Sequence, residues 1–330
     1  MEFFVLIGQI VGYFLVLLAL IGLLGFCYEA YRRSNIPNPP GNIVDIGGRG
    51  LHILCTGTGT PTIIWEAGGG SSSMTSRRIQ STISNFSRIF TYDRAGYGWS
   101  DSVSGPRSFD DIAKDLEKLL IAAEIPAPYI LVGVSMGGLM IRRFAARNRE
   151  KVAGIVLLDS AEELHVFKRK KMLRKMQASA AVSRWLSKFG MIRLIVKLFP
   201  SKVGIPSRLP DDEVREIVDD ISSEKNILAA TKEMAAYFQV SKPMEAIGGF
   251  GTLFDIPLRV VTHGRPFKGS QSFLEEGWVE SQERLAALSS NSKLITAKKS
   301  GHAISLESPD IVVEVIRELV EEINSGQKNA

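Results

Sequence analysis

The sequence has few cysteines and histidines, 2 and 4 respectively in 330 residues. Cys27 lies in an apolar amino-terminal segment, so we do not expect it to pair with Cys55, and a disulfide framework is excluded. No Cys/His cluster has metal-ligand spacing, and no glycine-rich loop ends in Gly-Lys-Ser/Thr. The sequence therefore predicts neither a metal site nor a phosphate-binding loop.

Positive charge is in only slight excess, and the net charge is +5 at pH 7. No nucleic-acid-binding module accompanies this excess, so we expect no nucleic-acid partner. An apolar fraction of 45% and a charged fraction of 23% exclude wholesale disorder. The length suits one large α/β domain with an insertion, or two modest domains.

One long hydrophobic run is present, at residues 3–26, and it contains no charged residue. A helix of this length can cross a bilayer core. A signal peptide would begin with positive charge and end at small residues, whereas Glu2 precedes this run and Tyr28 follows it. We therefore predict an uncleaved, single-pass anchor over residues 1–33. Arg32 and Arg33 at its carboxyl end favour a cytoplasmic catalytic body.

A proline-rich linker over residues 34–41 prevents the anchor helix from continuing. Beyond it, short β-branched runs predict the strands of a sheet, and 47–50 between the first two predict a hairpin turn. The predicted strands are 42–46, 51–55, 62–66, 88–92, 129–132, 153–158, 256–264 and 293–297.

The stretch Gly133-Val134-Ser135-Met136-Gly137-Gly138 joins an apolar strand to a helical segment. Strand, Gly-x-Ser-x-Gly and helix together are typical of a nucleophile elbow, in which the serine hydroxyl is exposed on a strained turn. Small neighbours are needed because the strand and helix backbones approach closely there. Ser135 is therefore the candidate nucleophile.

An oxyanion-binding site is predicted from backbone N–H groups. The N–H of Met136 opens the helix after Ser135 and would point at the developing oxyanion. A glycine-rich loop, 67–73, follows an early strand, where a second donor is expected. We assign that donor to Gly69, with Gly70 as the neighbouring possibility.

The run Asp93-Arg94-Ala95-Gly96-Tyr97-Gly98-Trp99-Ser100 follows another predicted strand and precedes the elbow. With the elbow, it makes the chain resemble the α/β-hydrolase fold family from about residue 42 to about 325. The resemblance implies a mostly parallel central sheet flanked by helices, formed by 42–160 and 251–325. It also implies that the Asp93 turn is structural.

Residues 161–250 contain no strand pattern and resemble the helical lid of that family. We predict lid helices over 166–177, 182–199, 211–222 and 226–239. Such an insertion would cover the site and set substrate specificity.

A general base is needed because serine at its ordinary pKa is a poor nucleophile. The candidates are His52, His165, His263 and His302. His302 follows Gly301 after the last strand, where the family carries its catalytic histidine. His263 ends a strand, where the family has a structural histidine, His165 belongs to the lid, and His52 is expected to be structural.

The usual place for the catalytic acid is the loop 264–269, which contains no carboxylate. Asp159, after the strand that follows the elbow, occupies the alternative position used by some members of the family. It preserves the chain order serine, acid, histidine and could stabilise the imidazolium. A structural strand-end aspartate is the other interpretation, and Glu162 and Glu163 are the fallback acids.

The basic segment 168–175 precedes apolar residues from Trp185 to Phe199. One interpretation is contact with an anionic membrane surface, and the other is a solvated face beside a packed lid helix. The nearby anchor favours membrane contact.

These features predict a membrane-anchored serine hydrolase that cleaves an ester, or an amide, of a lipophilic small molecule through an acyl-enzyme, with no cofactor. Acyl transfer, peptidase, carbon–carbon hydrolase and cofactor-free haloperoxidase activities share the same residues. A membrane-bound receptor or scaffold with little turnover is the alternative from another class, because fold alone does not decide function.

Overall fold

The computed structural model describes residues 1–35, 37–168, 170–239, 252–267 and 269–328. The strands are β1 (Asn42–Asp45), β2 (Gly50–Thr56), β3 (Thr62–Glu66), β4 (Ile89–Tyr92), β5 (Tyr129–Val134), β6 (Val152–Leu158), β7 (Leu258–His263) and β8 (Ser292–Ala297). The helices are α1 (Glu2–Ser34), α2 (Arg77–Ile83), α3 (Phe109–Ala122), α4 (Gly137–Arg147), α5 (Glu163–Lys168), α6 (Lys170–Ser187), α7 (Met191–Leu198), α8 (Asp211–Ile221), α9 (Glu224–Gln239), α10 (Trp278–Ala286), α11 (Ile304–Glu307) and α12 (Pro309–Lys328).

The strands form one 8-stranded sheet in the order β1-β2-β4-β3-β5-β6-β7-β8. β1 pairs antiparallel with β2, and β2 with β4, which confirms the predicted hairpin. The pairs from β4 through β3, β5, β6 and β7 to β8 are parallel. The carboxyl ends of β5, β6 and β7 therefore lie side by side, and the loops after them meet at one edge of the sheet.

Helices cover both faces of the sheet because its central strands are apolar on both sides. Side chains of successive strand residues point to opposite faces, so Ile64 and Leu131 pack with α3, α4 and α10, whereas Ile63 and Ile130 pack with α2 and α12. A capping box begins α3, with the Ser108 side chain accepting from the Asp111 N–H and the Asp111 side chain accepting from the Ser108 N–H. Helices α2 and α10 had no prediction from the sequence.

Between β6 and β7 the described residues form α5 to α9. The break between α6 and α7 lies at Gly190, whose φ of 68° is left-handed, so the single helix predicted over 182–199 was wrong. Val196 of α7 packs with Ile205, Ile217 and Val218 in a small core within this insertion. The predicted boundary at 250/251 lies outside the described residues.

Helix α1 spans 33 residues, and its most apolar 18-residue window has a mean hydropathy of 2.6 with none of it buried. Its carboxyl end contacts the lid. The buried Glu29 pairs with Arg193 of α7, and Arg32 pairs with Asp219 of α8, which also pairs with Arg193. The Phe26 ring lies 6.1 Å from that of Phe189, so the helix ends against the lid surface.

Candidate active site

Ser135 stands on the tight turn between β5 and α4. Its φ is +51°, which is left-handed and unusual for a residue with a side chain. The turn is fixed because the Ser135 N–H donates to the Leu158 carbonyl at 2.9 Å, while its own carbonyl accepts from Gly138 and Ala161. Such strain holds the hydroxyl above the sheet edge, as predicted for an elbow.

Glycine is required around Ser135 because there is no room for a side chain, not because of the backbone angle φ. A Cβ on Gly133 would lie 2.8 Å from the Gly138 backbone, and one on Gly137 would lie 2.6 Å from the Glu66 carbonyl oxygen. Any side chain at these positions would push β5, α4 and β3 apart.

His302, in the loop after β8, reaches both the serine and an acid. Its Nε2 lies 3.0 Å from Ser135 Oγ, and its Nδ1 lies 2.6 Å from Asp159 Oδ2. An ionised carboxylate only accepts hydrogen bonds, so Nδ1 carries a proton and Nε2 can accept the serine proton. The Asp159 position is therefore within reach of the histidine, although it follows β6 rather than β7.

Asp159 is fully buried at the end of β6 and accepts hydrogen bonds on both oxygens. Oδ1 accepts from the His263 backbone N–H at 3.1 Å and from Trp278 Nε1 at 2.9 Å. Burial would raise the pKa of this carboxyl, but hydrogen bonds and charge from His263 and His302 outweigh it and hold the pKa well below its usual range. Asp159 is consequently ionised at neutral pH.

His263 makes a contact that the sequence did not predict. Its Nδ1 lies 2.7 Å from Asp159 Oδ2, the same oxygen that His302 approaches. Burial would lower the pKa of His263, but the hydrogen bond and charge of Asp159, together with Glu275, raise it above its usual value. Two imidazoles therefore share one carboxylate oxygen.

The fallback acids and the remaining histidines have other partners. Glu163 forms a paired salt bridge with Arg142 at 2.8 Å, and Glu162 pairs with Arg284. His165 Nε2 lies 2.9 Å from the Leu274 carbonyl oxygen. His52 Nδ1 lies 2.9 Å from Asp93, as expected for a structural residue.

Asp93 holds the turn of the second motif together. It accepts from the backbone N–H groups of Ser73 at 2.8 Å and Trp99 at 3.1 Å, besides the His52 ring. These bonds and its burial account for its side chain without a role in chemistry, as the sequence interpretation required.

Arg94, in the same motif, binds the glycine-rich loop that follows β3. Its guanidinium donates to the carbonyls of Ala67 and Gly68 at 2.8 and 2.9 Å. It also pairs with Glu66 of the core and Glu233 of α9. Burial opposes the charge on Arg94, but these carboxylates raise its pKa further above its usual value. Sequence reasoning did not identify this network.

The predicted oxyanion donors lie beside each other. A Cβ on Gly69 would come within 3.0 Å of the Met136 side chain, and Gly69 and Ser135 line the same cavity. Gly70 also lines it, with a φ of +79°. Gly69 therefore lies at the cavity, next to Met136, which directly follows Ser135 in the chain.

A cavity of about 410 Å³ opens over Ser135 and His302. Its roof comes from the lid, through the segment 201–205 and through Ile217 and Ile221 of α8. A larger cavity, of about 750 Å³, lies apart from the serine and is lined by charged side chains that include Lys168 and Arg284. Ser135 and His302 therefore line the smaller cavity and not the larger one.

Within the described part of the chain, one group of side chains has the composition and size to bind a metal, namely Asp159, His263 and His302. Both imidazole Nδ1 atoms lie within hydrogen-bond distance of the carboxylate. Hydrogen bonding accounts for this arrangement without an ion.

The fold and this site agree with a match to the model of the Alpha/beta hydrolase family, over residues 53–315. The chain belongs to the alpha/beta hydrolase family. This family membership agrees with the sheet order, the elbow and the resemblance drawn from the two motifs.

An uncharacterized protein of Bacillus subtilis, YqjL, is 38% identical to this chain in a match that covers 36% of this chain and 51% of the length of YqjL. An uncharacterized vacuolar membrane protein of Saccharomyces cerevisiae is 37% identical over 31% of this chain and 17% of its own length. The matches thus span about half or less of these relatives.

Solved structures share the fold at low identity. A thermophilic esterase from Thermogutta terrifontis has a TM-score of 0.63 at 18% identity, covering 83% of this chain and 94% of the esterase. A putative lipase from Acinetobacter baumannii has a TM-score of 0.68 at 16% identity, covering 86% of this chain and 92% of the lipase.

Proposed function

We propose that this protein is a serine hydrolase that cleaves a carboxylic ester of a lipophilic small molecule. The observation that carries the proposal is the hydrogen-bonded series from Ser135 through His302 to Asp159, facing a covered cavity. Esterase and lipase neighbours in fold support hydrolysis as the reaction type.

In the acylation half, Ser135 Oγ attacks the ester carbonyl carbon while its proton passes to His302 Nε2. The carbonyl π electrons move to oxygen and form a tetrahedral oxyanion. When this intermediate collapses, the bond to the alkoxy oxygen breaks, and that oxygen takes the proton from Nε2 and leaves as an alcohol. Asp159 stabilises the transient imidazolium throughout.

In the deacylation half, a water molecule repeats the attack on the acyl-enzyme. His302 Nε2 accepts a proton from water as the new carbon–oxygen bond forms. Collapse breaks the bond to Ser135 Oγ, which takes back the proton, and the carboxylic acid leaves. Each proton taken up by His302 is therefore returned within the same half-reaction.

The backbone N–H groups of Met136 and Gly69 are proposed to bind the oxyanion in both halves. The adjacency of Gly69 and Met136, beside Ser135 at the cavity, supports this role, because such donors must face the place where negative charge develops. Arg94 would keep the loop in place by holding the Ala67 and Gly68 carbonyls.

Apolar lid residues favour a lipophilic acyl or alkoxy group. Val203, Ile205, Ile217 and Ile221 line the cavity above the serine. Burying an acyl chain against them stabilises the bound ester by the hydrophobic effect. An ester is preferred over an amide here only as the more readily cleaved substrate.

The test is covalent labelling combined with turnover. Wild type should react with a fluorophosphonate probe and hydrolyse short- and medium-chain nitrophenyl esters, and Ser135→Ala should do neither while unfolding at the same temperature. Anilides, peptides and carbon–carbon substrates in the same panel separate the other activities. A folded wild type that binds esters but is neither labelled nor active would support the receptor alternative.

We also propose that α1 spans a membrane and that the catalytic body is cytoplasmic. The exposure of the most apolar 18-residue window of α1 and the membrane description of the yeast relative support the location. Exposed apolar side chains also lie on the lid near the end of α1, at Leu194, Ile195, Leu198 and Phe199. These residues and the basic segment 168–175 would contact lipid.

Native cysteines make the orientation measurable. Cys55 is exposed on the catalytic body, so a membrane-impermeant maleimide should label it only after the membrane is opened if the body is cytoplasmic. Cys27→Ser removes the other exposed thiol, and Cys55→Ser gives the background. Labelling of Cys55 in intact cells would reverse the proposed orientation.

A further inference from the structure

Two imidazoles converge on a single carboxylate oxygen in the active site. Asp159 Oδ2 lies 2.6 Å from His302 Nδ1 and 2.7 Å from His263 Nδ1. His302 has its other nitrogen on Ser135, whereas the other nitrogen of His263 lies near Glu275. The contact of His263 therefore needs an explanation other than proton transfer to the substrate.

The His263 side chain is buried between aromatic rings and lies close to carboxylates. The residue is 7% exposed, and its ring lies edge-on to Phe267 at 4.9 Å and nearly parallel to Trp278 at 6.1 Å. Its Nε2 lies 3.4 Å from Glu275 Oε2. The described titratable groups that face it are thus Asp159 after β6, His302 after β8 and Glu275 before α10. The nearby Arg265 is paired with Glu307.

We propose that His263 is a positioning residue for the reaction, which orients Asp159 toward His302 and, by its own charge, sets how well that carboxylate stabilises the His302 imidazolium. This role rests on the proposed serine hydrolase function. In this arrangement one acid, Asp159, forms hydrogen bonds with two histidines.

Orientation follows from the direction of the hydrogen bonds. The His263 backbone N–H donates to Asp159 Oδ1, and its Nδ1 is hydrogen-bonded to Oδ2. One residue therefore binds both oxygens of the carboxylate. A carboxylate held this way cannot rotate about its terminal bond without losing a bond to His263. The oxygen that meets His302 is therefore fixed in place before the substrate arrives.

The charge effect follows from the shared oxygen. When Ser135 passes its proton to His302, a cation forms beside the carboxylate. A protonated His263 already neutralises part of that carboxylate and repels the new cation, so a neutral His263 should give the faster reaction. Because Asp159 and Glu275 raise the pKa of His263, this gain should appear as the pH rises past the usual histidine range.

The experiment compares His263→Asn and His263→Phe with wild type. Asparagine keeps a donor near the Nδ1 position but cannot titrate, whereas phenylalanine keeps the ring shape without a donor. The matched control is His52→Asn, which alters the other buried His–Asp pair, Nδ1 to Asp93 at 2.9 Å, away from the cavity. The readouts are kcat and KM for a nitrophenyl ester between about pH 5 and 9, and the unfolding temperature.

His263→Phe should lower kcat by about tenfold with KM within about twofold, because a charge-assisted hydrogen bond is lost in the transition state. His263→Asn should keep most of the activity but lose one ionisation from the pH profile. His52→Asn should lower stability and leave the profile unchanged.

An active wild type whose kcat and pH profile are matched by both His263 variants would overturn this proposal alone. If His263→Phe does not fold, an unchanged profile in His263→Asn still overturns the charge effect, and a lost ionisation supports it. A folded wild type without labelling at Ser135 would instead overturn the proposed function, and this role with it.

Discussion

Arg94 of the core and Glu233 of the lid form a fully buried ion pair, with Nε 2.8 Å from Oε1. Glu233 also accepts from Tyr97 at 2.9 Å, and Arg94 also donates to the Ala67 carbonyl of the glycine-rich loop. The pair therefore connects α9 to the loop that is proposed to bind the oxyanion.

Glu233→Ala should lower the free energy of unfolding by about 3 to 5 kcal/mol, because it leaves the Arg94 guanidinium buried with fewer partners. The control is Glu216→Ala, which breaks an exposed core-to-lid pair with Arg77 at 2.5 Å and should cost at most about 1 kcal/mol. Urea unfolding of both variants checks this, and equal losses would contradict the role of burial.

Asp159→Asn should reduce kcat by on the order of 10³ to 10⁴ and strongly reduce fluorophosphonate labelling of Ser135, because an amide cannot stabilise the His302 imidazolium. Steady-state kinetics with nitrophenyl esters measures the loss. Unimpaired turnover would return the role of acid to Glu162 or Glu163, although each is paired with an arginine.

We expect the contact between Asp220 of α8 and the loop beside Gly69 to depend on pH. Its carboxylate accepts from the Ser72 N–H at 3.1 Å and from Asn226. Burial, followed by the nearby negative charge of Asp93, raises the pKa of Asp220 to about 6. A raised folded-state pKa adds stability at low pH, and this stability is lost as the pH rises from about 4 through about 6.

Asp220→Asn should therefore raise the unfolding temperature at pH 8 relative to wild type, and should do so less at pH 5. Thermal unfolding at both pH values gives the difference directly. Asp211→Asn, at the exposed start of the same helix, serves as the control and should show no such pH dependence. The same gain at both pH values would exclude titration of Asp220 as its cause.

The absence of a side chain at Gly25 lets α1 pack closely against the backbone at Phe189. A Cβ at this position would overlap the Phe189 carbonyl oxygen, whereas one at Gly22 would meet nothing within 4 Å. Gly25→Ala should therefore lower the unfolding temperature of the detergent-solubilised protein and speed protease cleavage within 37–41. Gly22→Ala, one turn away, should change neither, and identical behaviour of the two variants would mean that α1 does not dock there.

Much of the fold was predictable because local patterns encode it. Apolar runs predicted every strand of the sheet to within a few residues, and Gly133, Gly137 and Gly138 around Ser135 predicted the elbow. A serine elbow needs small residues at fixed spacing for steric reasons, so its sequence is diagnostic. The apolar stretch of α1 was equally clear, since no polar face interrupts it.

Helices α2 and α10 were not predicted, and Trp278 of α10 proved to be a hydrogen-bond donor to Asp159. Short amphipathic helices give weak signals, because few residues define their buried face.

The sequence by itself determined the order of the strands along the chain, the position of Ser135 on its turn and the candidates for base and acid. Only the tertiary structure decided that His263 and His302 share Asp159, and that Arg94 joins α9 to the glycine-rich loop after β3. These contacts connect residues more than a hundred positions apart. They depend on which strands are neighbours in the sheet and on how the lid folds back, and no local pattern of residues records either.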